Sequence, residues 1–233
     1  YAEVLAPEFS AVVAENAMKF GPIHPEPDRY DFTDADALVD TAESNGQLVR
    51  GHTLVWHQQL PAWLEGAELS RDEAIAILRD HITTVVGRYR GRVAQWDVVN
   101  EALPDAGSGL RDTPWLRWIG PDYLDLAFEF AHQADPDALL FYNDYDPANT
   151  GEKSDRILDL VAAMAARGVP IDGVGMQFHV FVPVDGAAVA AQIERARALG
   201  LRYAMTEVDV ALPLPATGAL LLEQAEKMGT LLG

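Results

Sequence analysis

The chain has 233 residues, of which 49% are hydrophobic and 23% are charged, a balance typical of a globular domain with a substantial buried core. Its formal net charge is −19 at pH 7, and such a surface repels nucleic-acid phosphates and anionic membranes, so neither is an expected partner. No apolar run approaches the roughly 20 residues that a membrane span needs. The absence of cysteine excludes disulfides, thiolate metal sites and cysteine nucleophiles.

Short β-rich runs alternate with helical patterns along the whole chain. The predicted strands cover residues 11–14, 48–50 (leading into 51–57), 93–99, 139–142, 173–176 and 202–206. Nearly every run ends in a side chain that can form hydrogen bonds or carry out chemistry. No linker or low-complexity segment divides the chain, so we expect one domain over residues 1–233.

The helical patterns fall between the predicted strands. The segment Ser70-Arg71-Asp72-Glu73 matches a capping box and predicts a helix that begins there. Thr33 is a candidate cap for an earlier helix. Further helices are predicted over residues 123–134, 154–167 and 187–199, where apolar residues recur at helical spacing.

Alternating β and α elements favour parallel strands joined by helical crossovers, in either an open doubly wound sheet or a (β/α) barrel. In an open sheet, ligands bind at the switch point, so only some strand ends contribute. In a barrel, all strand ends surround one site. The polar residues at nearly every strand end, and the lack of a glycine-rich phosphate loop after the first strand, favour the barrel.

Two glutamates, Glu101 and Glu207, each follow a hydrophobic strand. Cleavage of a glycosidic bond uses two carboxyl groups, one to protonate the leaving oxygen and one to attack or to activate water. Asn100 can hydrogen-bond a sugar hydroxyl, and His179 can join Glu207 and Asp209 in a group that keeps Glu207 ionised. A carboxylate at a strand end is more often structural than catalytic, but that interpretation must here account for six strand ends at once.

The histidines and tryptophans near strand ends allow other interpretations. A metal site is one, but His52 and His57 face opposite sides of an extended run, which is not the spacing of a compact ligand pair. Trp56 is a candidate sugar-stacking residue because it lies in this stretch beyond a strand. The other tryptophans are assigned to core or surface. Lys19 lies just past the first strand, where it can contact a substrate hydroxyl.

At these residues the sequence resembles glycoside hydrolase family 10, the endo-β-1,4-xylanases. Six segments carry the resemblance, in the same order and at similar spacings: Ala14 to Lys19, Gly51 to His57, Trp96 to Ala102, Asn143-Asp144-Tyr145, Gln177-Phe178-His179 and Thr206 to Asp209. The resemblance covers essentially the whole chain. The resemblance implies a TIM (β/α)8-type barrel and a retaining endo-1,4-β-xylanase that acts on xylan and xylo-oligosaccharides.

The resemblance also implies roles for individual residues. Glu101 matches the acid/base and Glu207 the nucleophile. Five residues match the family residues that bind xylose hydroxyls on the non-reducing side of the cut: Glu15, Asn16, Lys19, His52 and Gln59. Trp56, Asn100 and Gln177 match other family residues that line the site beside the cut. His179 and Asp209 match the group that supports the nucleophile. No metal or organic cofactor is expected.

Further expectations follow from the same resemblance. About six of the eight βα units are found, so we expect a fragment of the catalytic domain that lacks the first and last barrel strands. A monomer is expected, as is an extracellular location, because the substrate is a polymer. Two alternatives remain open, a non-catalytic carbohydrate-binding barrel and a metal-dependent hydrolase that uses the histidines.

Overall fold

The computed structural model describes residues 2–146, 149–180 and 185–232. The strands are short: β1 (Ala11–Val13), β2 (Leu48–Val55), β3 (Gln95–Asn100), β4 (Leu139–Asp144), β5 (Gly173–Met176), β6 (His179–Val180), β7 (Arg202–Met205) and β8 (Asp209–Val210). The helices are α1 (Ala2–Glu8), α2 (Phe20–Ile23), α3 (Thr33–Ser44), α4 (Arg71–Arg88), α5 (Pro114–Ile119), α6 (Tyr123–Ala134), α7 (Glu152–Ala166), α8 (Gly186–Ala198) and α9 (Gly218–Leu232).

Six strands form one parallel sheet in the order β1-β2-β3-β4-β5-β7. The spatial order follows the chain order without reversal. A doubly wound sheet reverses its order at a switch point, so this topology is that of a (β/α) barrel, as predicted. In the described ranges β1 and β7 do not pair with each other, so the sheet is open and holds six of the eight strands of a closed barrel.

The core lies between the sheet and its covering helices. One apolar cluster includes Val98 of β3, Leu78 of α4 and Phe128 of α6, all fully buried. The central strands are buried along most of their length, which is the pattern of a parallel sheet with covered faces. A Cβ atom on Gly51 would lie 2.1 Å from the indole ring of Trp96, so only glycine fits beside this buried tryptophan.

All six predicted strand runs are confirmed, and so is the capping box. The Ser70 hydroxyl accepts from the Glu73 amide, and the Glu73 carboxylate accepts from the Ser70 amide at 2.9 Å. The predicted cap at Thr33 is wrong, because Thr33 is already the first residue of α3. Instead, the Asp31 carboxylate accepts from the Thr33 amide at 3.0 Å, since its acceptor oxygen reaches a backbone N–H two residues ahead.

Some of the shortest elements were not predicted because they are too short to show a periodic pattern. Helix α5 has six residues and begins after Thr113, whose hydroxyl accepts from the Leu116 amide at 3.1 Å. Strands β6 and β8 form a separate parallel pair of two residues each. In that pair His179 lies opposite Asp209, which brings together side chains that are 30 residues apart in the chain.

Apolar side chains are exposed on the edge strand β1 and on the last helix, α9. Val13 of β1 is 43% exposed, and Leu222 of α9 is 69% exposed. Within the part of the chain that the structure describes, no helix is both long enough and apolar enough to cross a membrane.

Candidate active site

Glu101 lies at the carboxyl end of the central strand β3, and its side chain is held by neutral donors. The Trp56 indole Nε1 donates to Oε2 at 3.0 Å, and the Gln177 amide Nε2 donates to Oε1 at 3.1 Å. The residue is only 8% exposed. Its backbone is in the left-handed region, with φ of 56°, which non-glycine residues rarely adopt. The main chain therefore turns sharply at the point where the carboxyl group enters the site.

Glu207 follows the edge strand β7, and its carboxylate accepts hydrogen bonds from two strand-end side chains. Asn143 Nδ2 donates to Oε1 at 3.0 Å, and His179 Nε2 donates to Oε2 at 3.2 Å. Burial raises the pKa of the Glu207 carboxyl, but the hydrogen bonds from His179 and Asn143 and the nearby His52 outweigh burial. The pKa of Glu207 is thus lower than its ordinary value, and the ionised form is favoured.

His179 connects Glu207 to Asp209. Its Nδ1 lies 2.6 Å from the Asp209 carboxylate, and its other ring nitrogen faces Glu207. The hydrogen bond to Glu207 contributes most to raising the pKa of His179 to about 9, and Asp209 adds to this although burial opposes it. Both ring nitrogens are therefore protonated at neutral pH, and both donate. The three side chains form the hydrogen-bonded group that the sequence predicted.

A chain of amide side chains joins the two glutamates. Asn143 Nδ2, which donates to Glu207, also donates to Asn100 Oδ1 at 2.9 Å. Gln177 Nε2, which donates to Glu101, lies 3.4 Å from the same Asn100 oxygen. The carboxylates of Glu101 and Glu207 therefore border one network at the carboxyl ends of β3, β4, β5 and β7.

Asn143 lies in one of the segments that resemble the family, but the sequence did not predict a role for it. It stands at the crossing point of the network, because its own Oδ1 accepts from the Thr206 hydroxyl at 2.8 Å. A Cβ atom on Gly175 would lie 2.3 Å from this oxygen, so the glycine in β5 leaves the space that Asn143 occupies. A polar residue that ends a buried strand was the sequence signal for Asn143.

The floor of the site contains a buried ion pair that sequence reasoning missed. Asp97, which is 1% exposed, contacts the guanidinium of Arg50 and accepts from His52 Nδ1 at 2.9 Å. Burial raises the pKa of Asp97, but the hydrogen bond from His52 and the charge of Arg50 outweigh it, so the pKa is lowered. An aspartate inside a hydrophobic strand run was the available signal. The pair fixes the His52 ring, which faces the cavity.

The side of the site formed by the β1 and β2 ends carries the predicted sugar-binding residues. Lys19 Nζ donates to Asn16 Oδ1 at 2.9 Å and lies 4.9 Å from the centre of the Trp56 ring. Gln59 Nε2 donates to the same Asn16 oxygen at 3.3 Å. Burial lowers the pKa of Lys19 despite the opposing charges of nearby Glu207, Glu15 and Glu101, so the ammonium group lies among these carboxylates.

A cavity of about 390 Å³ lies beside Glu207, with Lys19, His52 and Asp97 also in its lining. Its lining residues come from β1, β2, β3, β6 and β8 and from the segments that follow β1 and β7: Val13, Ala14, Glu15, Lys19, His52, Asp97, His179, Thr206, Glu207 and Asp209. Of the three histidines predicted near strand ends, His52 and His179 line this cavity and His57 does not. One ring nitrogen of His57 lies 3.4 Å from the Gln58 amide nitrogen. Across the described ranges, no group of three or more His, Asp or Glu side chains is arranged to hold a metal ion.

A parallel β/α array with two carboxylates at one site on its carboxyl edge defines the class of barrel glycoside hydrolases. The chain belongs to glycosyl hydrolase family 10, whose family model matches residues 1–232. It is 44% identical over 228 residues to the endo-1,4-beta-xylanase B of Thermotoga neapolitana. That alignment covers 97% of this chain and 66% of the relative, so the chain spans just under two thirds of the relative's length.

Solved structures of the family have the same fold. Xylanase 10B from Thermotoga maritima superposes with a TM-score of 0.95 at 44% identity, over 99% of this chain and 71% of that one. Xylanase 10B from Thermotoga petrophila, solved in complex with xylobiose, gives a TM-score of 0.93 at 42% identity, over 99% and 72% of the two chains. The six-stranded sheet is therefore part of a TIM barrel, as predicted.

The prediction of an extracellular location is wrong. TsXylA from Thermoanaerobacterium saccharolyticum has a TM-score of 0.92 at 39% identity, over 98% of this chain and 74% of that one, and is described as an intracellular xylanase. The prediction assumed that a polymeric substrate requires an enzyme outside the cell. This relative shows that family membership does not assign that compartment.

Proposed function

We propose that the chain is a retaining endo-1,4-β-xylanase that hydrolyses internal β-1,4-xylosidic bonds. The observation that supports this most strongly is the single hydrogen-bonded network that contains both Glu101 and Glu207 at the carboxyl ends of different strands. Retaining glycosidases need two carboxyl groups about 5–5.5 Å apart. The xylanase names of the family relatives support the choice of xylose polymers over other glycans.

The different surroundings of the two carboxyl groups support their different roles. Glu207 accepts a charge-assisted hydrogen bond from protonated His179, which favours a carboxylate nucleophile. The side-chain hydrogen bonds described for Glu101 come from neutral groups, Trp56 and Gln177. The charge-assisted hydrogen bond at Glu207 therefore distinguishes the proposed nucleophile from Glu101, the proposed acid/base.

The proposed reaction has two steps. In the first, a Glu207 oxygen bonds to the anomeric carbon while the bond to the leaving oxygen breaks, and Glu101 gives its proton to that oxygen. In the second, a water molecule gives a proton to the ionised Glu101 and bonds to the anomeric carbon, which releases Glu207. Two inversions at the same carbon leave the product with the β configuration.

We propose that the β1–β2 side of the cavity binds the sugars on the non-reducing side of the cut. Lys19, Asn16 and Gln59 already form a hydrogen-bonded row, and sugar hydroxyls can bond to such donors and acceptors. Glu15 and His52 line the same cavity. Trp56 supplies an aromatic wall beside Glu101, and its ring is a candidate surface for stacking.

We propose that residues 1–233 form part of a single catalytic domain and that the protein is a monomer. Both carboxylates and the groups that contact them lie on the same chain, so the site does not require a residue from a second copy. The substrate is expected to be an uncharged polymer, which a chain with net charge −19 does not repel.

Proton NMR of xylohexaose hydrolysis tests the function. The first-formed product is expected to be the β-anomer, and the Glu207→Gln variant is expected to give no product. Glu129→Gln, which changes an exposed glutamate on α6, serves as the matched control and should retain full activity. An initial α-anomer would reject retention. Binding of xylohexaose without hydrolysis would favour a carbohydrate-binding barrel, and activity lost only on metal chelation would favour a metal-dependent hydrolase.

A further inference from the structure

The backbone of Glu101 is held in a conformation that it would not adopt by itself. Its φ of 56° lies in the left-handed region, where the side chain of a non-glycine residue meets the following carbonyl. Such conformations persist only where surrounding contacts fix them. The position of the Glu101 carboxyl group therefore depends on whatever holds the main chain after β3.

Every backbone N–H and C=O group of Glu101, Ala102 and Leu103 has a partner. The three amides donate to β4: Glu101 to the Asn143 carbonyl at 2.9 Å, Ala102 to the Tyr142 hydroxyl at 3.0 Å and Leu103 to the Asp144 carboxylate at 3.4 Å. The three carbonyls all accept from a single residue, Arg111. Strand β4 thus holds one side of this turn, and Arg111 holds the other.

Arg111 uses both its backbone and its side chain. Its amide donates to the Ala102 carbonyl at 2.7 Å, its Nε donates to the Glu101 carbonyl at 3.0 Å, and its Nη2 donates to the Leu103 carbonyl at 2.9 Å. The guanidinium fork fits two carbonyls at fixed spacing, which a lysine ammonium cannot reproduce. The fork is itself oriented by the Tyr145 hydroxyl at 3.2 Å.

We propose that Arg111 is a positioning residue that holds the Glu101 carboxyl group in place for proton transfer. The inference rests on the proposed function, in which Glu101 is the acid/base. Arg111 contacts the Glu101 main chain, whereas the groups described around Glu207 lie on β4, β6 and β8. Loss of the fork should therefore impair proton transfer by Glu101 and leave the attack by Glu207 intact.

The test compares two substrates that differ in their need for a proton. Departure of 2,4-dinitrophenolate from its β-xylobioside needs no acid, whereas cleavage of xylohexaose does. For Arg111→Lys, kcat/KM on xylohexaose should fall about 10- to 100-fold, because a small displacement of a catalytic group costs that much. The value of kcat/KM on the dinitrophenyl substrate reports the first step. For Arg111→Lys this value should stay within about threefold of that of the parent chain.

Azide adds a second readout. If Glu101 is displaced as a base, turnover of the dinitrophenyl substrate by the variant should rise with azide, and the product should be β-xylobiosyl azide. Arg156→Lys is the matched control, because Arg156 donates to the carbonyls of Pro104 and Gly107 in the same loop but not to those of residues 101–103. The control should behave like the parent chain on both substrates.

An equal fall on both substrates, with no azide rescue, would overturn the proposal, since a general loss of structure has that effect. Should Arg111→Lys fail to fold, Arg111→Gln is tested in the same way. A spectroscopic readout separates this proposal from the proposed function. The Trp56 indole N–H resonance, which reports the 3.0 Å hydrogen bond to Glu101, should move in Arg111→Lys and not in Arg156→Lys, even if the parent chain hydrolyses neither substrate. An unmoved resonance would also overturn the proposal.

Discussion

The contacts around Glu101 fix mainly its main chain, whereas the contacts around Glu207 fix its side chain. Glu101 follows a central strand with a neighbour on each side, and the main-chain groups of residues 101–103 all hydrogen-bond to β4 or to Arg111. Glu207 follows β7, which is an edge strand: within the described ranges it pairs with β5 and has no strand on its other side. There the side chain is held instead, by Asn143 and by the His179–Asp209 pair.

This difference fits the different requirements of an acid/base and of a nucleophile. An acid/base must keep a neutral and an ionised form both accessible, so fixing its backbone positions it without fixing its charge. A nucleophile must stay ionised, so charge-assisted hydrogen bonds to its oxygens serve both position and charge. The small β6–β8 sheet provides these bonds at the edge of the larger sheet, because it aligns His179 with Asp209.

Removal of the nucleophile should have the largest effect. We expect Glu207→Gly to lower kcat on xylohexaose at least about a thousandfold, because no covalent intermediate can form. Azide should enter the vacated space and give a glycosyl azide of α configuration, since only one displacement remains. Product analysis by NMR checks this outcome. A β-azide from Glu207→Gly would reverse the assignments of Glu101 and Glu207.

A substitution that crowds the amide network between Glu101 and Glu207 should have an intermediate effect on activity. In Gly175→Ala the new Cβ would lie 2.3 Å from Asn143 Oδ1 and 2.9 Å from Thr206 Cγ2, so Asn143, whose Nδ2 donates to Glu207, must shift from its present position. We expect kcat to fall about 10- to 100-fold, and the free energy of unfolding to fall by about 1–3 kcal/mol. Steady-state kinetics and urea unfolding measure both quantities.

The matched control for this substitution is Gly87→Ala in α4, where a Cβ meets no atom within 4 Å. Alanine is the better helix former there, so this variant should gain up to about 1 kcal/mol of stability and keep its activity. If Gly175→Ala behaves like Gly87→Ala, Asn143 does not need its present position.

The smallest expected effect concerns the pH dependence of stability on the Glu207 side. The pKa of His179 is raised to about 9, above its ordinary value of 6.5. A raised pKa stabilises the folded chain fully below pH 6.5, and this contribution is lost as pH rises through 9. The His179 side chain is 39% exposed, so solvent screening limits the contribution to about 1 kcal/mol.

Urea unfolding at pH 6 and pH 10 measures this contribution. His179→Gln should be less stable than the parent chain at pH 6, and the difference should shrink by pH 10. His132→Gln, which changes an exposed histidine at the end of α6, should follow the parent chain at both pH values. A constant deficit for His179→Gln would mean that the His179 charge does not stabilise the fold.

Much of the fold was predictable because each strand is a short apolar run with a polar residue at its end, as at Glu101 and Asn143. Parallel strands place those residues at one edge, so the sequence also indicated which side chains would meet. Arg111 was not predictable, because its three acceptors are backbone carbonyls of a loop without periodicity. Asp97 was missed as a paired group, because a single sequence does not reveal that Arg50 and His52 face it from the neighbouring strand β2.

The central claim, that Glu207 is the nucleophile opposite Glu101, is tested most directly by trapping the covalent intermediate. A 2-deoxy-2-fluoro-β-xylobioside with a dinitrophenolate leaving group should inactivate the chain, and mass spectrometry of the digested protein should place the sugar on the peptide that contains Glu207. Inactivation with the sugar on Glu101, or on a carboxylate outside the cavity, would contradict the account.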